Sequence, residues 1–168
     1  MSMPATFSGP AVSRPTLGLR RAVLLAASVT ALVLSACASP GADGDGEGTT
    51  IAITLQEWAV IPASDSAPAG EVTFEVTNNG PDDIHEFVVL QTDLDAVDLP
   101  VDENGMVNED GGGMVVVDEI EDIPVGESQA VTVTLEAGNY VLLCNIYTAD
   151  EDEAHYSLGM RTAFSVTD

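Results

Sequence analysis

An all-β sandwich with Greek-key connections is what this sequence predicts, on two observations. Apolar residues recur at every second position in run after run, and glycine, proline or asparagine closes each run. From residue 49 onward Ile51, Ile53 and Leu55 alternate with Ala52, Thr54 and Gln56. Val72, Phe74 and Val76 alternate in the same way with Thr73, Glu75 and Thr77. That period turns one face of each strand to a core and the other to water. "HEFVVL" (85–90) opens a strand on which His85 shares a face with Phe87 and Val89. Val131, Val133 and Leu135 mark the next, Tyr140, Leu142 and Cys144 share a face after that, and a last strand is expected near 162–166. "PAG" (68–70), "NNGPDD" (78–83), "PVG" (124–126) and "EAG" (136–138) supply turns between them. No segment sustains a helical period, although 94–99 suits a short turn, and 100–114 is one long irregular stretch. Short half-buried strands of this kind are expected to pair antiparallel.

The chain divides into three parts. Residues 1–36 read as a lipoprotein signal peptide. Arg20 and Arg21 precede an apolar run over 22–36, shorter than the roughly 20 residues a spanning helix needs. "LSAC" (34–37) resembles a bacterial lipobox, which makes Cys37 the expected lipidated N-terminus. An ordinary cleaved signal with a chance cysteine is the alternative. "RRAVLL" resembles a twin-arginine signal, with the general export route left open. Residues 37–48 are small, acidic and glycine-rich and read as a flexible tether. "DGDGEG" is not a calcium loop, because the twelfth position from Asp43 is Thr54 rather than glutamate. Residues 49–168 form the folded domain.

All 28 acids lie beyond the signal, against Arg161 alone, a formal charge of −27, and the chain has no lysine. Such a surface repels nucleic acid, which is excluded as a partner. Two readings fit the acids: docking to a basic partner, or a halophilic surface kept hydrated at high salt. Their spread along the whole chain favours the second.

Cys37 and Cys144 are the only cysteines, so a lipidated Cys37 leaves Cys144 without an intramolecular partner. His85 and His155 are the only histidines, and Met160 follows His155 by five residues. Singly, each suits a core position: a hydrogen-bonded histidine, a small buried thiol, an apolar thioether. Together they are a thiolate, two imidazoles and a thioether, the donor set of a blue copper centre. Two strand ends carrying His85 and Cys144 can meet at one end of a sandwich, with the 145–160 segment folding over them. Met106 and Met114 fall in the irregular stretch and read as incidental, and Trp58 as core or rim packing. Two histidines are too few for the further copper centres of an oxidase or nitrite reductase, so the chain is not expected to be an enzyme.

The sequence resembles the cupredoxin (blue copper) family, in particular its lipoprotein branch related to sulfocyanin and plastocyanin-like proteins. That family carries an H-E-F strand start and a G-x-Y-x-x-x-C-N-I-P-G-H-Y-x-x-G-M segment. Here the matching residues read "HEFVVL" (85–90), "AGNYVLLCNI" (137–146) and "HYSLGM" (155–160). The resemblance implies one mononuclear type 1 copper held by His85, Cys144, His155 and Met160, with the His155 edge near the surface as the electron's exit. It implies a monomeric carrier of single electrons, lipid-anchored to the extracytoplasmic face of the cell membrane. Cytochromes or a terminal oxidase are its expected partners. Copper capture or delivery, and a metal-free interaction module, are the alternatives. One departure stands out: His155 follows Cys144 by eleven residues rather than five. "YTADEDEA" (147–154) occupies the place of a proline and a glycine, an insertion beside a working site whose acids, 150–153, should lie close to the copper on its solvent side.

Overall fold

The computed structural model describes residues 48–168. The expected signal peptide and the lipidated Cys37, with all of the tether but Gly48, lie outside the described residues. The described chain runs β1 (Thr49–Gln56), β2 (Ala59–Pro62), β3 (Ser66–Pro68), β4 (Gly70–Asn78), β5 (His85–Thr92) and β6 (Met114–Ile123). It continues through β7 (Ser128–Leu135), β8 (Gly138–Leu143), β9 (Tyr147–Thr148), β10 (Glu153–Ala154), α1 (His155–Leu158) and β11 (Arg161–Thr167). A four-stranded sheet, β2-β1-β4-β7, faces a five-stranded one, β3-β11-β8-β5-β6, and β9 and β10 form a separate small ribbon. The sheets are mixed rather than purely antiparallel. β1 runs parallel to β4, and β3 parallel to β11.

The alternation in the sequence explains the layers. Ile51, Ile53, Leu55, Val72, Phe74 and Val76 meet Phe87, Val89, Tyr140, Leu142 and Phe164 in one core between the sheets. Phe74 anchors it, 5.3 Å from the Phe87 ring and 5.6 Å from the Phe164 ring. Tilted and edge-on aromatic pairs of this kind add about 0.5–1.5 kcal/mol each beyond area burial. β5 is buried on both faces. Val88 and Leu90 point the other way, into a second core with Ala96, Leu99, Val107, Met114, Val141, Leu143 and Tyr156.

The irregular stretch therefore covers the outer face of the five-stranded sheet. Met114 is not incidental: it opens β6 and is buried in that second core. Tyr156 fastens the cover, its hydroxyl donating to the Ala96 carbonyl at 2.9 Å and accepting from the Leu99 N–H at 3.1 Å. β6 escapes a period-two reading because it is an edge strand with two register shifts against β5 and exposed acids on its outer side. Charged edges discourage pairing with another chain.

Asn78 carries this architecture to the site. Its buried amide donates to the carbonyls of Asp83 at 2.8 Å and Ile123 at 2.9 Å, and its Oδ1 accepts from the Gly80 N–H at 2.8 Å. The turn before β5 is thereby tied to the end of β6, which fixes where His85 begins its strand.

Candidate metal centre

His85 opens β5 and Cys144 follows the last residue of β8, so the antiparallel β5–β8 ladder brings them to one end of the sandwich. His155 opens α1, and Met160 lies between α1 and β11. Main-chain bonds close this second half onto the first: the Cys144 N–H donates to the Met160 carbonyl at 3.0 Å, and the Met160 N–H to the His155 carbonyl at 3.0 Å. Gly159 makes the corner possible. Its φ of 134° disfavours side chains, and an added Cβ would stand 2.9 Å from the Trp58 carbonyl oxygen. Met160 is fully buried in the core between the sheets.

Three donor atoms converge. The Nδ1 atoms of His85 and His155 are 3.2 Å apart, and the Cys144 Sγ lies 4.0 Å from the first and 3.4 Å from the second. All three side chains are withdrawn from water. A divalent first-row ion at ordinary bond lengths, centred in a trigonal plane, would space its two nitrogens about 3.6 Å apart and nitrogen from sulfur about 3.8 Å. The observed edges fall within about half an ångström of those values, so the triangle has the size of a metal site.

The far sides of the rings make the same case. If both Nδ1 lone pairs are to serve as ligands, each Nε2 must carry the proton. His85 Nε2 faces Glu57 Oε1 at 3.7 Å, and His155 Nε2 faces Thr148 Oγ1 at 3.4 Å. His85 Nε2 and the second Glu57 oxygen are both buried without a hydrogen-bond partner. Glu57 itself is held by the N–H groups of Asp82 and Asp83, which donate to Oε1 at 3.1 and 2.9 Å. Burial pushes the Glu57 carboxyl up, but these N–H groups and the His85 ring together bring it below its ordinary range.

The electrostatics suit a cation. Burial pushes the Cys144 thiol up to about 12, against the opposing pull of backbone N–H groups from Glu86 and Ile146. The Glu86 N–H donates to Sγ at 3.3 Å. The sulfur thus keeps its proton until a cation replaces it. Burial also lowers both imidazoles, helped at His85 by the neighbouring His155 and opposed at His155 by the charges of Asp83, Glu57 and Glu151. Neutral rings and a displaceable thiol proton are the states that metal binding requires.

Each short motif flanking a donor has a physical task. Glu86, next to His85, accepts the Asn145 N–H at 2.6 Å, and burial followed by the charges of Glu109, Glu119 and Glu121 raises its carboxyl to about 7. Asn145, next to Cys144, accepts from the Val107 N–H at 2.6 Å and donates to the Val107 carbonyl at 3.0 Å and to Glu109 at 2.8 Å. Tyr156, next to His155, anchors in the second core, and Arg161 lies 4.8 Å over its ring.

The expected exposed edge of His155 is corrected by the structure. The ring is fully buried. The inserted residues fold as the β9–β10 hairpin, which sets Thr148 against Nε2, and Trp58 meets the ring edge-on with centroids 5.1 Å apart. Trp58 is therefore a wall of the site as well as packing for the core. Glu57, Trp58 and Thr148 are the site residues that sequence reasoning missed. Of the hairpin acids, Asp150, Glu151 and Asp152 are exposed and Glu153 is half-buried, and Glu151 and Glu153 bring carboxylate oxygens within 4.8 Å of each other and of one from Asp83.

No protein-family model matches the chain, and no curated protein sequence matches it. Solved structures do. The dithionite-reduced auracyanin of Roseiflexus castenholzii superposes with a TM-score of 0.52 at 24% identity, over 73% of this chain and 100% of that one. Auracyanin A of Chloroflexus aurantiacus, described as a "blue" copper protein, gives 0.48 at 20% identity, over 72% and 100%. A azurin from Methylomonas sp. strain J gives 0.48 at 18% identity, over 73% and 100%. The two-sheet sandwich, with His85, Cys144 and His155 gathered at one end, has the cupredoxin fold.

Proposed function

We propose that residues 49–168 form a type 1 copper protein that carries single electrons. The observation that carries this reading is the buried Nδ1–Nδ1–Sγ triangle whose two imidazoles each turn Nε2 to a protein oxygen. His85, Cys144 and His155 would hold the ion, with Met160 as the fourth, weaker donor. Copper held there supplies a one-electron couple, Cu(II)/Cu(I). The chain contributes rigidity. His85 and Cys144 are fixed by a strand ladder, His155 and Met160 by the main-chain bonds at the α1 corner, and a site that moves little between states exchanges electrons quickly.

Burial favours this reading over copper capture or delivery, which calls for ligands an acceptor protein can reach. The same burial tells against open-site catalysis. We further infer that lipid on Cys37 tethers the domain to the outer face of the membrane, where it meets redox partners such as cytochromes or a terminal oxidase. Among the described residues no helix is long and apolar enough to cross a membrane.

Copper titration of the purified protein tests the reading. One equivalent should bind, with an intense thiolate-to-copper band in the visible that bleaches on reduction and returns on oxidation. A protein that stays colourless and indifferent to copper ends the proposal.

A further inference from the structure

We propose that Glu57 is a positioning residue of the metal centre, holding His85 as the Nε2-protonated tautomer and biasing the bound ion toward its higher charge state. This rests on the reading of the site as a copper centre. Glu57 lies just beyond the end of β1, and its side chain is 12% exposed beside a fully buried His85. Theirs is the one contact within 4.0 Å between a carboxylate and a histidine, lysine or arginine nitrogen among the described residues. His85 Nε2 and Glu57 Oε2 are both buried without a hydrogen-bond partner, while Oε1, which stands 3.7 Å from Nε2, already accepts two backbone N–H groups. A buried polar atom left unpaired is costly, so a small rotation of the carboxylate that brings an oxygen onto Nε2–H is favoured.

The structural duty of Glu57 does not explain its charge. Receiving the N–H groups of Asp82 and Asp83 at Oε1 could be done equally by a glutamine oxygen. A negative charge beside the far nitrogen of a ligand ring does something an amide does not. It attracts the Nε2–H proton as the ring is polarised, raises the donor strength of Nδ1, and stabilises Cu(II) more than Cu(I). His155 has no such partner, because Thr148 offers a neutral hydroxyl. The pair of rings is therefore electronically unequal, with His85 the stronger donor.

Glu57→Gln in the purified full-length protein separates the two duties. Loss of an outer partner of a ligating histidine typically lowers metal affinity 10- to 100-fold. The variant should keep its visible band and its copper-free melting temperature. Its Cu(II) affinity should fall about tenfold more than its Cu(I) affinity, raising the midpoint potential by about 59 mV. A potential equal to that of the wild type overturns the proposal, whatever happens to stability. If the variant does not fold, the wild type still decides by 15N–1H NMR of the diamagnetic Cu(I) form. A slowly exchanging His85 Nε2–H supports the proposal, and a rapidly exchanging or absent one overturns it. A wild type that binds no copper overturns the electron-carrier reading and this inference with it, an outcome told apart by the missing visible band.

Discussion

His85 and His155 are both fully buried, and each turns Nδ1 toward the Cys144 sulfur and Nε2 toward a protein oxygen. They are held by different kinds of structure. His85 belongs to a strand paired with β6 and β8's sheet, and its outer nitrogen faces a carboxylate fixed by two backbone N–H groups. His155 sits at the foot of an inserted hairpin, and its outer nitrogen faces a hydroxyl carried by that hairpin. Adjacent residues of a single turn serve the two rings, Glu57 at His85 and Trp58 at His155. The scaffold fixes where the site is, whereas the insertion decides how the site meets water. Changes on the His85 side should alter the metal's preferences, and changes on the His155 side should alter access to it.

The largest effect should come from the atom the two sides share. Cys144→Ser removes the soft donor while preserving the shape of the β8 end. The hydroxyl does not replace a thiolate, so the visible band should vanish entirely. The circular dichroism of the strands should remain, and the copper-free protein should lose about 1–3 kcal/mol at most from the altered buried polar group. A blue Cys144→Ser variant would show that both rings answer to another donor.

A second, smaller effect should follow from removing the hairpin. The His155 N–H already donates to the Ile146 carbonyl at 2.9 Å. If two residues joined Ile146 to His155, that bond would be the one that closes a β-turn. The insertion is thus mounted on the hydrogen bond of the turn it replaces, which explains how the chain admits residues 147–154 without moving a ligand. Replacing 147–154 by Pro-Gly should keep the visible band and expose the Nε2 edge of His155. Electron exchange with a small neutral oxidant should then accelerate, roughly tenfold or more by stopped-flow. An unchanged rate would mean that the hairpin does not limit access and that electrons leave by the His85 side or through the protein.

These two regions also differ in how far the sequence discloses them. Period-two alternation places β1, β4, β5, β7, β8 and β11, and it turns His85 and Cys144 inward as found. Motif order adds His155 and Met160. The partners of the rings are different in kind. Glu57 and Trp58 stand in a short turn, and Thr148 in a two-residue strand, where no periodicity operates. Their significance lies in contacts across 28, 97 and 7 residues of chain, from Glu57 to His85, Trp58 to His155 and Thr148 to His155. The burial of His155 was illegible for the same reason. Eight residues of which four in a row are acids look like a solvated loop, and only the pairing of Glu153 with Thr148 and of Ala154 with Tyr147 folds them into a cover.

The smallest effect should belong to the acids at the hairpin tip. Asp150, Glu151 and Asp152 are exposed, while lost hydration and the charges of Glu151 and Asp83 hold the Glu153 carboxyl above its ordinary range. The charge of Glu151 is felt in the site, since it opposes the lowering of His155. Negative charge favours the oxidised ion, so changing residues 150–153 to Asn or Gln should raise the midpoint potential. Water and salt screen these charges, unlike Glu57. The Debye length shrinks from about 30 Å at 0.01 M to about 3 Å at 1 M. The shift should therefore be measurable in dilute buffer and fade toward zero in molar salt, whereas the shift from Glu57→Gln should persist at both. Spectroelectrochemical titration of the two variants across that salt range makes the contrast direct. Equal salt dependence in both would erase the distinction between a buried charge behind one ring and a solvated charge over the other. A hairpin variant with the wild-type potential at every salt concentration would leave the acids a role in hydration alone.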